Sequence, residues 1–291
     1  MHFRSVCLSG GGVTGVVHVG MLQRLEDENL LGGLDTIVAT SAGAIVSILY
    51  AIGMSPTDIF NALATLDWSK ALRFTGLDTF LTEMGLDDGA YFMAHMIDVL
   101  MARGVDPRVT FANFFKTYKK RLIITGTNTS AHEPVYFSPE STPDMRVLDA
   151  VRISMGIPFL FTAVRKGDDV YVDGGVSDNY PIQYCLQDFS HRFPLFPSVL
   201  GVIGSFVDSL PPRKTLDIKA HIFNVFASSI KKGKETDHTV AVYLTNLSSV
   251  DFDASPKLLK DAYEQGYNAT GKHLDSLRAK ACLHIKRRRS V

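Results

Sequence analysis

Apolar residues fall along this chain in short uninterrupted runs that alternate with longer stretches of helical period. The first run, Ser5-Val6-Cys7-Leu8, reaches Ser9 and then Gly10-Gly11-Gly12-Val13-Thr14-Gly15, and helical spacing follows from Val16 to about Leu30. A second run, Thr36-Ile37-Val38-Ala39, leads through Thr40-Ser41-Ala42-Gly43 into helical spacing from Ala44 to Ile52. Short apolar runs bounded by small residues predict buried strands, and the periodic stretches behind them predict helices. The chain therefore opens with two strand–turn–helix units in tandem.

The alternation continues. Ser55 as N-cap and Pro56 at the first helical position predict a helix to Leu66. Residues 67–89 have no clear period and mix Trp68, Phe74, Leu77, Phe80, Leu81, Met84 and Leu86 with turn residues. Such a segment near an active site is a lid, a lipid-contacting surface, or a loop whose aromatics plug into the core, the last being the commoner case. Further helices are predicted over Ala90–Arg103, from a Thr110 cap to Tyr118 with Phe111, Phe114 and Phe115 as its apolar face, and over Met145–Met155, Leu216–Ile230 and Pro256–Lys280. Strands are predicted over Arg121–Thr127, Pro134–Phe137, Val170–Asp173, Val199–Phe206 and Val240–Thr245. Strands and helices at this spacing imply an α/β fold with a mostly parallel central sheet covered on both faces. No repeat or linker interrupts the pattern, which predicts one domain over residues 1–291.

Both tandem turns sit where a strand hands over to a helix, the end at which open parallel sheets bind ligands. Ala39-Thr40-Ser41-Ala42-Gly43 has the form of a nucleophile elbow, G-x-S-x-G with alanine for the first glycine. The competing role for Ser41 is an N-cap of the helix behind it. Gly10–Gly15 can expose backbone N–H groups at a helix start and hold an oxyanion or a phosphate. The same glycines satisfy G-x-G-x-x-G, the dinucleotide fingerprint. That use requires an acidic residue at the end of the second strand, whereas Asp35 begins it and Ser41 follows it. Val170-Tyr171-Val172-Asp173-Gly174-Gly175 reads as a strand ending in an aspartate, with Asn179-Tyr180-Pro181 beyond. Taken alone, Asp-Gly-Gly is an ordinary turn.

Together these pieces resemble the patatin-like phospholipase family, and the likeness runs in order from Phe3 to about Pro181. Gly53-Met54-Ser55-Pro56, Glu133-Pro134-Val135-Tyr136-Phe137-Ser138 and Arg152-Ile153-Ser154-Met155-Gly156-Ile157-Pro158-Phe159-Leu160-Phe161 add to it. The resemblance implies a three-layer α/β/α fold related to the α/β-hydrolase and cytosolic phospholipase A2 catalytic domains. It also implies a Ser41–Asp173 dyad and an oxyanion hole from Gly10, Gly11, Gly12 and Val13, with Gly15, Ala39, Gly43, Gly174 and Gly175 in support. The substrate it implies is a phospholipid or other lipid ester at a membrane or micelle surface. Residues 182–285 then supply the remaining strands and helices, and 286–291 a basic tail. Thr14 departs from the Arg or Lys usual at that place in the family, and Ala39 from the elbow glycine.

Composition narrows the partners. The 291 residues are 46% hydrophobic and 21% charged, as in ordinary globular proteins. Thirty basic against thirty acidic residues give zero formal charge, so there is no electrostatic case for nucleic acid. Cys7, Cys185 and Cys282 form neither a disulfide framework nor a zinc-ligand spacing, which favours a reducing compartment. No signal peptide and no transmembrane run is legible, so the expected location is cytoplasmic, peripheral at membranes where the tail Lys286-Arg287-Arg288-Arg289 meets anionic headgroups. The alternative for that tail is a solvated terminus. No cofactor or metal is expected.

Three rivals stay open on sequence. An α/β-hydrolase triad would recruit a histidine from His191, His221, His238 or His273, but its elbow usually follows several strands. His18 is the histidine nearest in sequence to the glycine loop and is expected to pack. A nucleotide-binding module would use Gly10–Gly15 and leave Asp173-Gly174-Gly175 unexplained, and a catalytically silent lipid-binding homologue would keep the fold alone. If Gly12 presents its N–H to the oxyanion, a side chain there is expected to crowd the substrate oxygen.

Overall fold

The computed structural model describes residues 2–67, 70, 82, 85–196, 198–209 and 235–289. Its first half runs β1 (Ser5–Leu8), a 3-10 turn (Gly12–Gly15), α1 (Val16–Asp27), β2 (Thr36–Thr40), α2 (Ala42–Ala51), α3 (Pro56–Ala64), β3 (Gly85–Asp87), α4 (Ala90–Ala102), α5 (Phe111–Tyr118), β4 (Arg121–Asn128) and β5 (Glu133–Phe137). The second half runs α6 (Val147–Ser154), β6 (Phe159–Phe161), β7 (Val164–Lys166), β8 (Asp169–Asp173), α7 (Gly175–Asp178), α8 (Ile182–Arg192), α9 (Ser198–Gly201), β9 (Val202–Ser209), β10 (Thr239–Leu244) and α10 (Pro256–Arg289). The caps read from the sequence are made: Ser55 Oγ accepts from the Asp58 amide at 3.1 Å and Thr110 Oγ1 from the Asn113 amide at 3.4 Å.

Among the described residues the main sheet has eight strands in the order β10-β9-β1-β2-β4-β8-β7, with β5 also on β4. The five strands from β10 to β4 are parallel, β5 and β8 run antiparallel to β4, and β7 is antiparallel to β8. Side chains alternate between the two faces as the pleat requires. Val6, Leu8, Ile37, Ala39, Leu122, Ile124, Ile203 and Val207 pack on one face with α1, α2, α6 and α10. Cys7, Val38, Ile123, Val202 and Phe206 face Ile182, Cys185 and Phe189 of α8 on the other. This is the expected three-layer α/β/α arrangement.

The register along β4 decides where the site forms. β2 pairs with Arg121–Thr125 and β8 with Gly126–Asn128, while β5 pairs with Ile124–Asn128. Because β5 overlaps both neighbours, it must take the other edge of β4. Hence β2 and β8 share one edge end to end, pointing at each other: Thr40 lies opposite Thr125 and Asp173 opposite Gly126. The carboxyl ends of two opposed strands thus abut.

Several expectations need correction. The strand expected from Val199 begins at Val202, because residues 198–201 form a helical turn. Phe115 does not join the α5 face: Phe111 and Phe114 are buried, but Phe115 is 39% exposed. The short strands β3, β6 and β7 carry too little period to be seen in advance, whereas α8 has a helical face, Ile182, Cys185 and Phe189, that the sequence reading passed over. Trp68, Phe74, Leu77, Phe80, Leu81, Met84, the predicted helix Leu216–Ile230 and His221 lie outside the described residues, as do the tail side chains. Leu86, at the end of that irregular stretch, is buried. Among the described residues, no helix is long and apolar enough to cross a membrane, and no group of three or more His, Cys, Asp or Glu is placed to hold a metal ion.

Candidate active site

β2 ends at Thr40 and α2 begins at Ala42, leaving Ser41 alone to turn the chain. Its backbone adopts φ 52°, ψ −118°, a conformation that costs a non-glycine residue about 1–3 kcal/mol. The surroundings hold it there. The Ser41 amide donates to Ser154 Oγ at 2.8 Å, and that hydroxyl donates on to the Thr125 carbonyl at 2.6 Å. Gly43 is the second residue of α2, where a Cβ would lie 2.7 Å from the carbonyl oxygens of Leu8 and Ser9. A glycine is required for β1 and α2 to approach this closely. Ala39 is buried in β2 and the elbow forms with it in place.

Ser41 occupies the N-cap position, yet its side chain makes no capping bond. Its Oγ donates instead to Asp173 Oδ2 at 2.8 Å. The other carboxylate oxygen, Oδ1, accepts from the Gly175 amide at 2.6 Å. The Asp173 backbone is anchored on both sides, its N–H to the Gly156 carbonyl (2.9 Å) and its C=O to Thr127 Oγ1 (2.8 Å). Gly174 packs on the Thr125 carbonyl. Asp173 is 1% exposed, and this burial pushes its carboxyl up to about 7 against the two donors that favour the anion.

The glycine loop lies against Ser41: a Cβ on Gly10 would be 3.2 Å from Ser41 Cβ. Gly15, at the end of the 3-10 turn, packs on Ala42. Of the four amides expected to form an oxyanion hole, two are already engaged. Gly10 N–H donates to the Asn179 carbonyl and Val13 N–H to the Ser249 carbonyl, each at 3.0 Å. In this structure the Gly10 and Val13 amides thus serve the fold's own hydrogen bonds. The amides of Gly11 and Gly12 have no acceptor among the described residues. The expectation for a Gly12 side chain also changes. Gly12 has φ +55°, and a Cβ there would lie 2.2 Å from the Ser249 carbonyl oxygen, so a substitution would strain the turn before it met a substrate.

Residues that sequence reasoning left without a role surround these. Thr14, where the family usually has a cation, is buried, and its hydroxyl donates to the Gly11 carbonyl at 2.7 Å. Ser154 was legible only as part of a family-like segment. Ser249, Ser205 and Val207 lie beyond the resemblance altogether, with no local motif to mark them. His18 is buried with both ring nitrogens engaged, Nε2 with the Ser9 carbonyl and Nδ1 with Ser205 Oγ, each at 2.8 Å. Burial lowers its pKa to about 4. Among the described residues no histidine contacts Ser41 Oγ or the Asp173 carboxylate. Asp35, the residue a dinucleotide site would need, pairs with Arg192 at 3.1 Å beside the amino end of β2.

Residues 6–186 match the family described as patatin-like phospholipase. The chain belongs to that family. Among its relatives, it is 28% identical over 188 residues to the "Probable lipid hydrolase 463L" of Invertebrate iridescent virus 6, covering 64% of each protein. The chain thus spans less than two thirds of that relative's length. It is 26% identical over 265 residues to YqhO of Bacillus subtilis (strain 168), covering 84% of this patatin-like chain and 86% of YqhO. The fold resembles that of VipD from Legionella pneumophila with a TM-score of 0.67 at 18% identity, over 95% of this chain and 67% of VipD. That likeness speaks to the fold alone.

Proposed function

We propose that this patatin-like protein is a lipid acyl hydrolase that cleaves acyl esters of glycerophospholipids, a phospholipase A-type reaction, through a Ser41–Asp173 dyad. The observation that carries the reading is the buried 2.8 Å hydrogen bond from Ser41 Oγ to Asp173 Oδ2. A hydroxyl aimed at a carboxylate near its own titration point is a nucleophile with its base attached.

Ser41 Oγ attacks the ester carbonyl while its proton passes to Asp173. The negative charge on the former carbonyl oxygen is met by the Gly11 and Gly12 amides, each such donor contributing about 3 kcal/mol to the transition state. The tetrahedral intermediate collapses, Asp173 returns the proton to the leaving lysolipid alkoxide, and the acyl group remains on Ser41. A water then gives its proton to Asp173, attacks the acyl carbonyl, and releases the fatty acid and a free Ser41. The carboxyl, pushed up to about 7 by burial, can both take and return a proton near neutral pH.

The family membership and the viral relative described as a lipid hydrolase support a lipid ester as substrate. We further propose that catalysis occurs at a membrane or micelle surface, with the protein cytoplasmic and peripheral, and that no step uses a cofactor. The test is a fluorophosphonate that phosphonylates activated serines, followed by mass mapping and by fatty-acid release from phosphatidylcholine vesicles. An adduct on Ser41 together with fatty-acid release is expected. Absence of the adduct would refute the nucleophile, and an adduct without turnover of any lipid ester would leave the silent homologue as the better reading.

A further inference from the structure

Three consecutive carbonyls of the glycine loop are each held by a side chain. His18 Nε2 bonds the Ser9 carbonyl at 2.8 Å; a carbonyl oxygen only accepts, so Nε2 carries the proton and Nδ1 of the neutral ring accepts from Ser205 Oγ. Ser9 Oγ donates to the Gly10 carbonyl at 2.9 Å and is itself fixed by the Val207 amide at 3.1 Å. Thr14 Oγ1 donates to the Gly11 carbonyl at 2.7 Å, and the Thr14 amide adds a second bond to it at 3.1 Å.

A trans peptide points its C=O and N–H in opposite directions. Turning a carbonyl toward its holder therefore turns the next residue's amide away from it. The first plane shows the rule at work, since the Ser9 carbonyl goes to His18 and the Gly10 amide goes the other way, to Asn179. In the next two planes the amides are those of Gly11 and Gly12, the pair without acceptors among the described residues. Glycine has no side chain to define these planes and is the residue most free to rotate out of them.

We propose that Ser9 and Thr14 are positioning residues that hold the Gly10 and Gly11 carbonyls, so that the Gly11 and Gly12 amides stay presented as oxyanion donors, with His18 fixing the peptide plane before them. This rests on the hydrolase reading above. In this chain a neutral hydroxyl stands at position 14, and its effect is transmitted through the peptide plane and not through charge. Preorganised donors stabilise developing charge because they need not reorient during the reaction. Their loss of orientation should weaken transition-state binding and leave ground-state binding unchanged.

The experiment uses the full-length protein with p-nitrophenyl butyrate and an alkyl trifluoromethyl ketone, whose adduct with a serine carries an oxyanion. Thr14→Val removes the hydroxyl at constant volume. It should lower kcat about 10- to 100-fold with KM within about twofold, and weaken the ketone by the same factor. Thr14→Ser keeps the hydroxyl and should restore most of both. Wild-type kcat in Thr14→Val, an equal loss in Thr14→Ser, or ketone affinity that does not follow kcat would each overturn the proposal. Should Thr14→Val not fold, Thr14→Ala is judged by the same criteria. Ser41→Ala separates the two levels: if it retains turnover, the hydrolase assignment fails, whereas an inactive Ser41→Ala beside an unimpaired Thr14→Val defeats only the positioning role.

Discussion

Ser41 and Asp173 stand at the ends of two strands that reach the same point from opposite directions. Ser41 ends β2 in the parallel part of the sheet and is forced outward by a strained elbow, φ 52°. Asp173 ends the antiparallel β8 in an unstrained turn and is held by burial and by bonds to its backbone. In the proposed dyad, backbone strain makes the nucleophile available and exclusion of water makes the base basic. The two devices are independent, so they can be broken separately.

The largest effect should come from the nucleophile. Ser41→Ala should lower kcat by more than about a thousandfold while circular dichroism and melting temperature stay near wild type. Trace-level turnover is the expected residue, and p-nitrophenyl ester hydrolysis by the purified variant measures it. Asp173→Asn should be nearly as damaging, within about tenfold of Ser41→Ala, because an amide cannot accept the serine proton. An Asp173→Asn protein with most of its rate would shift the base elsewhere.

The same variant tests burial as the source of basicity. Asp173 is raised from an ordinary 3.8 to about 7, so the folded protein favours the neutral acid. Its contribution to stability is then fully present below pH 3.8 and lost as pH rises through about 7. Asp173→Asn cannot ionise. It should melt above wild type at pH 8 and show no such advantage at pH 4. The corresponding kinetic signature is a kcat/KM that rises with an apparent pKa near 7, since the base must be ionised to act. A profile flat from pH 5 to 8 would contradict the assignment.

Smaller effects are expected elsewhere. Single Gln replacements of His191, His221, His238 and His273 should each change kcat by less than about fivefold; His221 is the sharpest of these tests because it lies outside the described residues. A histidine variant that matched the Ser41→Ala loss while folded would convert the dyad into a triad. Finally, Ser41→Gly should be more stable than Ser41→Ala by about 1 kcal/mol, because glycine tolerates the elbow's positive φ. Equal stability would mean that the elbow is not strained.

Much of this was legible before any coordinates. Short apolar runs and the turns behind them located β1, β2 and their helices, because burial between two layers demands unbroken hydrophobic strands. Ala39–Gly43 and Asp173–Gly175 marked the two residues of the proposed dyad, since an elbow needs small neighbours and a turn needs glycine. Three-residue strands such as β3, β6 and β7 were not legible: their pairing comes from neighbours distant in sequence, and too few residues carry the period.

The sequence by itself determined the residue types that can do the chemistry and the local shapes that present them. Only the tertiary structure decided how they meet. Asp173 reaches Ser41 because β4 runs three residues past Thr125, leaving Gly126–Asn128 as an edge on which an oppositely directed strand can end. No local pattern encodes strand direction. Four consecutive loop residues offered equivalent amides in the sequence. Asn179 and Ser249, from far along the chain, occupied those of Gly10 and Val13 and, among the described residues, left Gly11 and Gly12 without an acceptor. A backbone N–H is the same group at every position, so which one remains free is a property of its surroundings.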